Sequence, residues 1–387
     1  MSNSIHSDAR HTVKVSARRF EPSPFENCWL NEHTVMGVYA GRYYSVFNGE
    51  DINETYWALR RKAVLYDVPE RPVEISGPDV VPFLEHIFAC KVSNLKEGRG
   101  RYAIACTPNG GVFMDGILFK LASNRFWYVQ PDGALETWLT AHSKGFDTRI
   151  TDPRSRVLQI QGPKSFDIMK EASGGKIDEN MKYFHSGFFQ IGGQEVYVSR
   201  TGWTGELGFE IYTQGESTDC LRLWDHMMKV GASHGMLFSS ISSMEVRRIE
   251  AGILDNGTDF DMTMTPFEAG LGKFIDFEKE NFIGRNALLD VKQASLIFGV
   301  RCLDAAPLYH GEILDGSKVV AKVTAGAWSP YLNAGVGYAR FEEVGDWAGK
   351  SLEMKTANGK LVPCEIVGLP FYDAEKLIPR GLDKTIP

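Results

Sequence analysis

Two glycine-rich segments carry residue types from which a ligand site could be built. The first runs Arg200–Thr–Gly202–Trp203–Thr–Gly205–Glu206–Leu–Gly208–Phe–Glu210, with three glycines at three-residue steps. A dinucleotide-binding turn needs GxGxxG opening a helix. Here FEIYT follows and alternates as a strand does, which disfavours a phosphate cradle. Glycine also lets backbone approach a flat ligand closely. Beside such a ligand Trp203 would stack and Glu210 would accept from an N–H edge. A bulged hairpin with a solvated glutamate accounts for the same residues. The second segment is Gly110–Gly111–Val–Phe–Met–Asp115–Gly116. Aspartate is disfavoured next to a strand such as ILFKL. It is either a turn or cap residue or a carboxylate presented to a ligand.

The elements around these segments are mixed. ETYWALRRKAVLY, residues 54–66, has helical spacing, and RPVEISGPD reads as a strand ending in a turn at Gly77–Pro78. VVPFLEHIFAC fits an amphipathic helix. RYAIACTPNGGVFMDGILFKL reads as two strands joined at residues 108–111. In STDCLRLWDHMMKVGASHG a serine N-cap is expected, with Leu221, Trp224 and Met228 on the apolar face. From about residue 290, LIFGVRCL, KVTAGAWS, AGVGYARF and LVPCEIV alternate with turns and predict a small C-terminal β-barrel. Strands and helices intermix without a βαβ rhythm, so the fold class is α+β. A length of 387 residues implies two or three domains.

The bulk numbers exclude some functions. A net charge of −7 argues against a nucleic-acid partner. No stretch reaches membrane length and the first nineteen residues lack an apolar core, so a cytoplasmic protein is the default. The six cysteines are scattered without a CxxC pair, and the nine histidines form no HxH or HExxH. Reduced thiols and no metal are expected.

The two chemical segments resemble signatures of the glycine-cleavage T-protein family. RTGWTGELGFEI is similar to RTGYTGE-x-GFEI, and GGVFMDGIL to GGILDDLI. IQGPKSF, RRIEAGILDNGTDFD, FIGRNAL and AGVGYAR follow in the family's order, so the resemblance covers about residues 55–375. It implies a three-domain cloverleaf with a C-terminal β-barrel and tetrahydrofolate, the co-substrate, in a central funnel. The division expected is 1–54 with 151–285 as the folate-binding domain, 55–150 as a second α+β domain and 286–387 as the barrel. Residue by residue, Asp115 falls on the catalytic position, Glu210 on the glutamate that grips the pterin and Arg248 on a folate-site arginine. Glu206 and Trp203 also match, and Tyr102 is a wall residue.

One stretch departs. The family's FDVSHMG is here Tyr66–Asp67–Val68–Pro69–Glu70–Arg71–Pro72, similar to the DVxxERxVEISG segment of dimethylsulfoniopropionate demethylases, a branch of the same family. Arg18–Arg19…Pro24–Phe25 resembles that branch's start, whereas RTGWTGE is what an aminomethyltransferase carries. The departure implies a small-molecule methyl donor, a sulfonium or quaternary ammonium acid. Trp29, Tyr39, Tyr43, Tyr44 and Phe47 would give it cation–π faces, and Arg71 would pair with its carboxylate. Ordinary core packing explains the same aromatics. The alternatives are an aminomethyltransferase served by a lipoyl-carrier protein, and a non-catalytic folate binder, whose KGCYxGQE segment is missing here.

Overall fold

A computed structural model describes residues 19–387, so Arg18 lies outside the described residues. The architecture is α+β with a closed C-terminal barrel, as expected. An antiparallel sheet orders Arg99–Cys106, Val112–Ala122, Arg125–Gln130, Arg71–Ser76 and Arg149–Thr151. A six-stranded sheet orders Ser186–Ile191, Gln194–Ser199, Gly208–Tyr212, Val157–Gln161, Val64–Val68 and Leu237–Phe238. Its last pair alone is parallel. Val64–Val68 thus pairs outside the 55–150 segment to which sequence had assigned it. The chain crosses from one sheet to the other through only two residues, Pro69 and Glu70.

Alternation along the strands decides what faces what. Leu65, Leu158, Ile160, Phe209 and Ile211 point to one side of the six-stranded sheet. There they pack on the helices Ser165–Ala172 and Cys220–Ala232 through Ile168, Met169, Leu223 and Met227. Tyr66, Val157 and Tyr212 point to the other side and meet Phe119, Trp127 and Val129 of the five-stranded sheet. The two sheets therefore confront each other across an aromatic layer.

The local signals were partly displaced. The first long helix is Ile52–Arg61, shorter than residues 54–66, and Asp51 caps it by accepting from the amides of Asn53 and Glu54. Asp219, not a serine, caps Cys220–Ala232. Leu221 is 50% exposed, because the buried stripe of that helix runs through Leu223, Trp224, Met227 and Val230.

The barrel closes in the order Ile297–Cys302, Ala334–Phe341, Lys318–Ser329, Glu312–Asp315, Ser351–Lys355 and Leu361–Val367. A separate hairpin, Val35–Tyr39 with Arg42–Phe47, turns at Ala40–Gly41. Both turn residues have positive φ, 51° and 74°, as a tight hairpin requires.

Candidate functional site

The inward faces of the two sheets carry the acids. On the six-stranded sheet Ser199, Glu210, Gln159 and Tyr66 form a row of cross-strand partners. One Glu210 carboxylate oxygen accepts from Ser199 (3.1 Å), Thr201 (2.5 Å) and the Tyr212 hydroxyl (2.7 Å). The other accepts from Gln159 Nε2 at 3.0 Å. Gln159 Nε2 also lies 3.1 Å from both oxygens of Glu70. Gln159 is fully buried and its Oε1 has no partner among the described residues. Burial and the facing Glu210 push the Glu70 carboxyl up to about 8. Burial raises Glu210 too, against the three hydroxyls that donate to it.

On the five-stranded sheet Asp115 projects from Val112–Ala122 on the same face as Ile117 and Phe119, and it is buried. The hairpin before it forms at the expected place, where the amide of Thr107 donates to the carbonyl of Gly111. Gly111 lies against the carbonyl of Met262, 2.0 Å from where a Cβ would stand, so a larger residue cannot occupy this turn. The Tyr102 hydroxyl donates to Asp115 at 2.5 Å and Asn256 Nδ2 donates at 3.0 Å. Burial raises the Asp115 carboxyl, and those two donors hold part of the rise back. Tyr102 stacks on Phe274, 4.5 Å between centroids, which fixes the wall.

Asn256 belongs to a loop that Arg248 organises. Arg248 donates to Glu245 through Nε and an Nη, and to Asp259 (2.6 Å) and the carbonyl of Ile253 through the other Nη. Asp259 accepts in turn from the amide of Asp255 and from Thr324 of the barrel. Trp203 lies over the Arg248 guanidinium at 5.0 Å. Arg248 is committed to carboxylates of its own protein and acts on Asp115 through the Asn256 loop. Glu206 is likewise committed, to Arg60 (2.9 Å) and Arg247 (2.7 Å).

The glycines of RTGWTGELG have a different purpose from the one sequence suggested. A Cβ on Gly202 or Gly208 would stand 2.1 or 2.4 Å from the side chain of Gln161, and one on Gly205 2.5 Å from Ala251. Gly202 and Gly208 make room for Gln161, which donates to the carbonyl of Thr201 and accepts from Thr204, and Gly205 makes room for Ala251.

The expected aromatic cage separates. Trp29 is buried in the helix-side core, stacks on Phe238 and donates to Asp67 at 2.9 Å. That side of the sheet is the one opposite Gln159 and Glu210, so Trp29 is removed from the donor site. Alternation along Arg42–Phe47 sets Tyr43 on the face away from Tyr44, and a register shift interrupts the alternation before Phe47, which pairs with Val35. Tyr43 packs on Phe20. Tyr39 and Tyr44 are 6.4 Å apart edge to face. Burial and the charges of Asp255, Glu70 and Asp115 raise the Tyr39 hydroxyl, which places that ring among the acids of both sheets. Arg71, proposed for a substrate carboxylate, donates to Asp152 at 2.6 Å through one of its nitrogens.

Sequence reasoning had overlooked Gln159, Asn256 and Asp255. The signal for the first was present: glutamines at 159 and 161 interrupt an otherwise apolar strand. The site's chemistry suits a ligand rich in N–H donors. Acceptors from Glu70, Glu210 and the orphaned Gln159 Oε1 line one wall, and a carboxylate with a raised pKa stands on the other. This donor-seeking set fits the amino-oxo ring edge of a reduced folate.

Fold and site together describe an α+β protein with an acid-lined seam between two sheets and a closed C-terminal barrel. Residues 31–279 match the GCVT N-terminal domain and residues 297–373 the glycine cleavage T-protein C-terminal barrel domain. An aminomethyltransferase of Bacillus pumilus is 32% identical over 336 residues, covering 84% of this chain and 91% of the relative. One of Bacillus subtilis is 30% identical over 332 residues, covering 83% and 91%. The glycine cleavage system aminomethyltransferase T of Bartonella henselae has the same fold, with a TM-score of 0.82 at 23% identity, covering 92% of this chain and 98% of that one. The chain belongs to the glycine cleavage T-protein family. It is a tetrahydrofolate-dependent one-carbon transferase, and tetrahydrofolate is its co-substrate.

Proposed function

We propose that the protein is an aminomethyltransferase, taking an aminomethyl group from a lipoyl-carrier protein and passing its carbon to tetrahydrofolate. The observation that carries this reading is the buried Asp115, held by Tyr102 and Asn256 on the inward face of one sheet, with the Glu210–Gln159 row on the inward face of the other. Similarity to named aminomethyltransferases along most of the chain supports it. The place of Trp29 on the helix side of the sheet and the pairing of Arg71 with Asp152 weaken the onium-acid reading.

In this reading the carbon–sulfur and carbon–nitrogen bonds of the carrier adduct break, the carbon joins two folate nitrogens, and the two N–H protons they lose leave on ammonia and the carrier thiol. Asp115 stabilises positive charge as it develops on the one-carbon unit and its nitrogens. Its raised pKa also lets it hold a proton displaced from nitrogen. Tyr102 and Asn256 keep its two oxygens oriented. Glu210 orients the pterin through the one oxygen that three hydroxyls do not saturate.

The test supplies purified protein and tetrahydrofolate with either an aminomethylated lipoyl-carrier protein or a small onium acid such as dimethylsulfoniopropionate. The expected products are methylene-tetrahydrofolate and ammonia, from the carrier alone. Formation of 5-methyl-tetrahydrofolate from the onium acid alone would replace this reading with a demethylase.

A further inference from the structure

Glu70 occupies the two-residue link between the sheets, so its side chain stands at the seam where their inward faces meet. It is half-buried, while Glu210 and Gln159 behind it are buried. The two acids differ in how they are satisfied. Glu210 receives four protein donors. Among the described residues Glu70 receives a single one, Gln159 Nε2, shared between both its oxygens. An ionised carboxylate offers about four acceptor positions, so most of those on Glu70 remain open. The same amide that bridges the acids carries the orphaned Oε1, a second acceptor at the same place. An unpaired buried amide oxygen is destabilising unless a ligand satisfies it.

We infer that Glu70 is a second ligand-binding carboxylate, whose open oxygens accept the N–H edge of the pterin of tetrahydrofolate at the seam between the sheets. This rests on the folate reading above. Glu210 also holds Gln159, and through it Glu70, in position.

The groups facing Glu70 give the inference a signature. From the neighbouring strand Glu210 opposes its ionisation, and Tyr212 stands by. Tyr39 faces it from the hairpin, and Arg42 donates at 2.7 Å to its backbone carbonyl rather than to its carboxylate. With no cation on the side chain, Glu70 keeps its proton near neutral pH in the empty protein. To accept adjacent N–H groups of the pterin edge on both oxygens it must lose that proton to solvent. Binding therefore releases about one proton per site near pH 7.

Calorimetric titration with tetrahydrofolate alone, at pH 7 in two buffers of different ionisation enthalpy, measures both affinity and proton release. The wild type is expected to bind with release of a substantial fraction of one proton. Glu70→Gln, which keeps the shape, is expected to bind about tenfold more weakly and without that release. An unchanged thermal midpoint at pH 5 shows that the variant folds. If Glu70→Gln binds as tightly as wild type and releases the same protons, the inference is wrong and the folate reading stands. If the wild type does not bind tetrahydrofolate at all, the folate reading fails and the inference with it.

Discussion

Asp115 is held by one phenol and one amide, both neutral donors. Such partners orient a carboxylate without cancelling its charge, which suits a group that must respond to charge developing on a substrate. Asp115→Asn keeps the shape and removes the charge. Turnover is expected to fall at least ~10²-fold with the thermal midpoint nearly unchanged. A fully active Asn variant would make Asp115 an ordinary strand residue. Glu210→Gln is a different case, because a glutamine amide would set an N–H₂ among hydroxyls that now donate to a carboxylate. Weaker tetrahydrofolate binding, by roughly 1–3 kcal/mol, is expected together with a lower midpoint. Calorimetry and thermal melts on one preparation separate the two effects. Glu70 adds a pH dependence. Its folded pKa of about 8 lies above the ordinary 4.5, so the folded state holds this proton more tightly than the unfolded chain. The stability it lends is complete below about 4.5 and is lost as pH rises through about 8. Glu70→Gln is therefore expected to melt with wild type at pH 5 and ~1–4 °C above it at pH 9. Parallel melting curves across that range would show that Glu70 is already ionised at pH 5.

At the scale of elements, what the sequence could and could not disclose follows from the two-residue period of strands. The hairpin at residues 108–111, the strand after the glycine motif and the barrel pieces were legible because turn residues and alternation mark them. Which face of a strand looks at which partner was not legible. Leu158 and Gln159 are neighbours in the chain, yet one lies in the helix-side core and the other between the sheets. Trp29 shows the same difficulty. Its place among aromatics suggested a cage, and only the side on which Asp67 emerges from Val64–Val68 decides otherwise. Asp115 and Glu210 were singled out by their glycine-rich surroundings and given roles only through a resemblance, since a lone carboxylate in a strand is locally indistinguishable from a solvated one. Trp29→Phe puts the new assignment at risk. Losing the bond to Asp67 while keeping the ring should cost about 1–3 kcal/mol of stability. Donor and folate affinities should stay at wild-type values, and a rise in the donor's KM without loss of stability would return Trp29 to the site.

The whole molecule is tied together by a buried ionic cluster that no single segment reveals. Arg60 comes from helix Ile52–Arg61, Arg247 and Glu250 from helix Ser242–Glu250, and Glu206 from the glycine motif. Glu250 accepts from Tyr56, from Ser329 of the barrel and from Tyr372 of the C-terminal segment. Tyr372 also accepts from Arg60. Helices of the folate side, the barrel and the chain's end thus share one set of charges. This is why Glu206 matches a family motif without facing a ligand: its place is set by the docking of parts. Glu206→Gln leaves two buried guanidinium groups with only Glu250, 3.9 Å from each, to compensate them. Removing one partner of a buried pair costs about 3–5 kcal/mol, and the charge that remains here should keep the loss near the lower figure. The expected outcome is a thermal midpoint several degrees lower, with tetrahydrofolate affinity of the folded protein within a factor of about two. Calorimetry well below the midpoint checks the affinity, and denaturant melts check the stability. A tenfold loss of folate affinity at unchanged stability would move Glu206 out of the interdomain cluster and into the folate site.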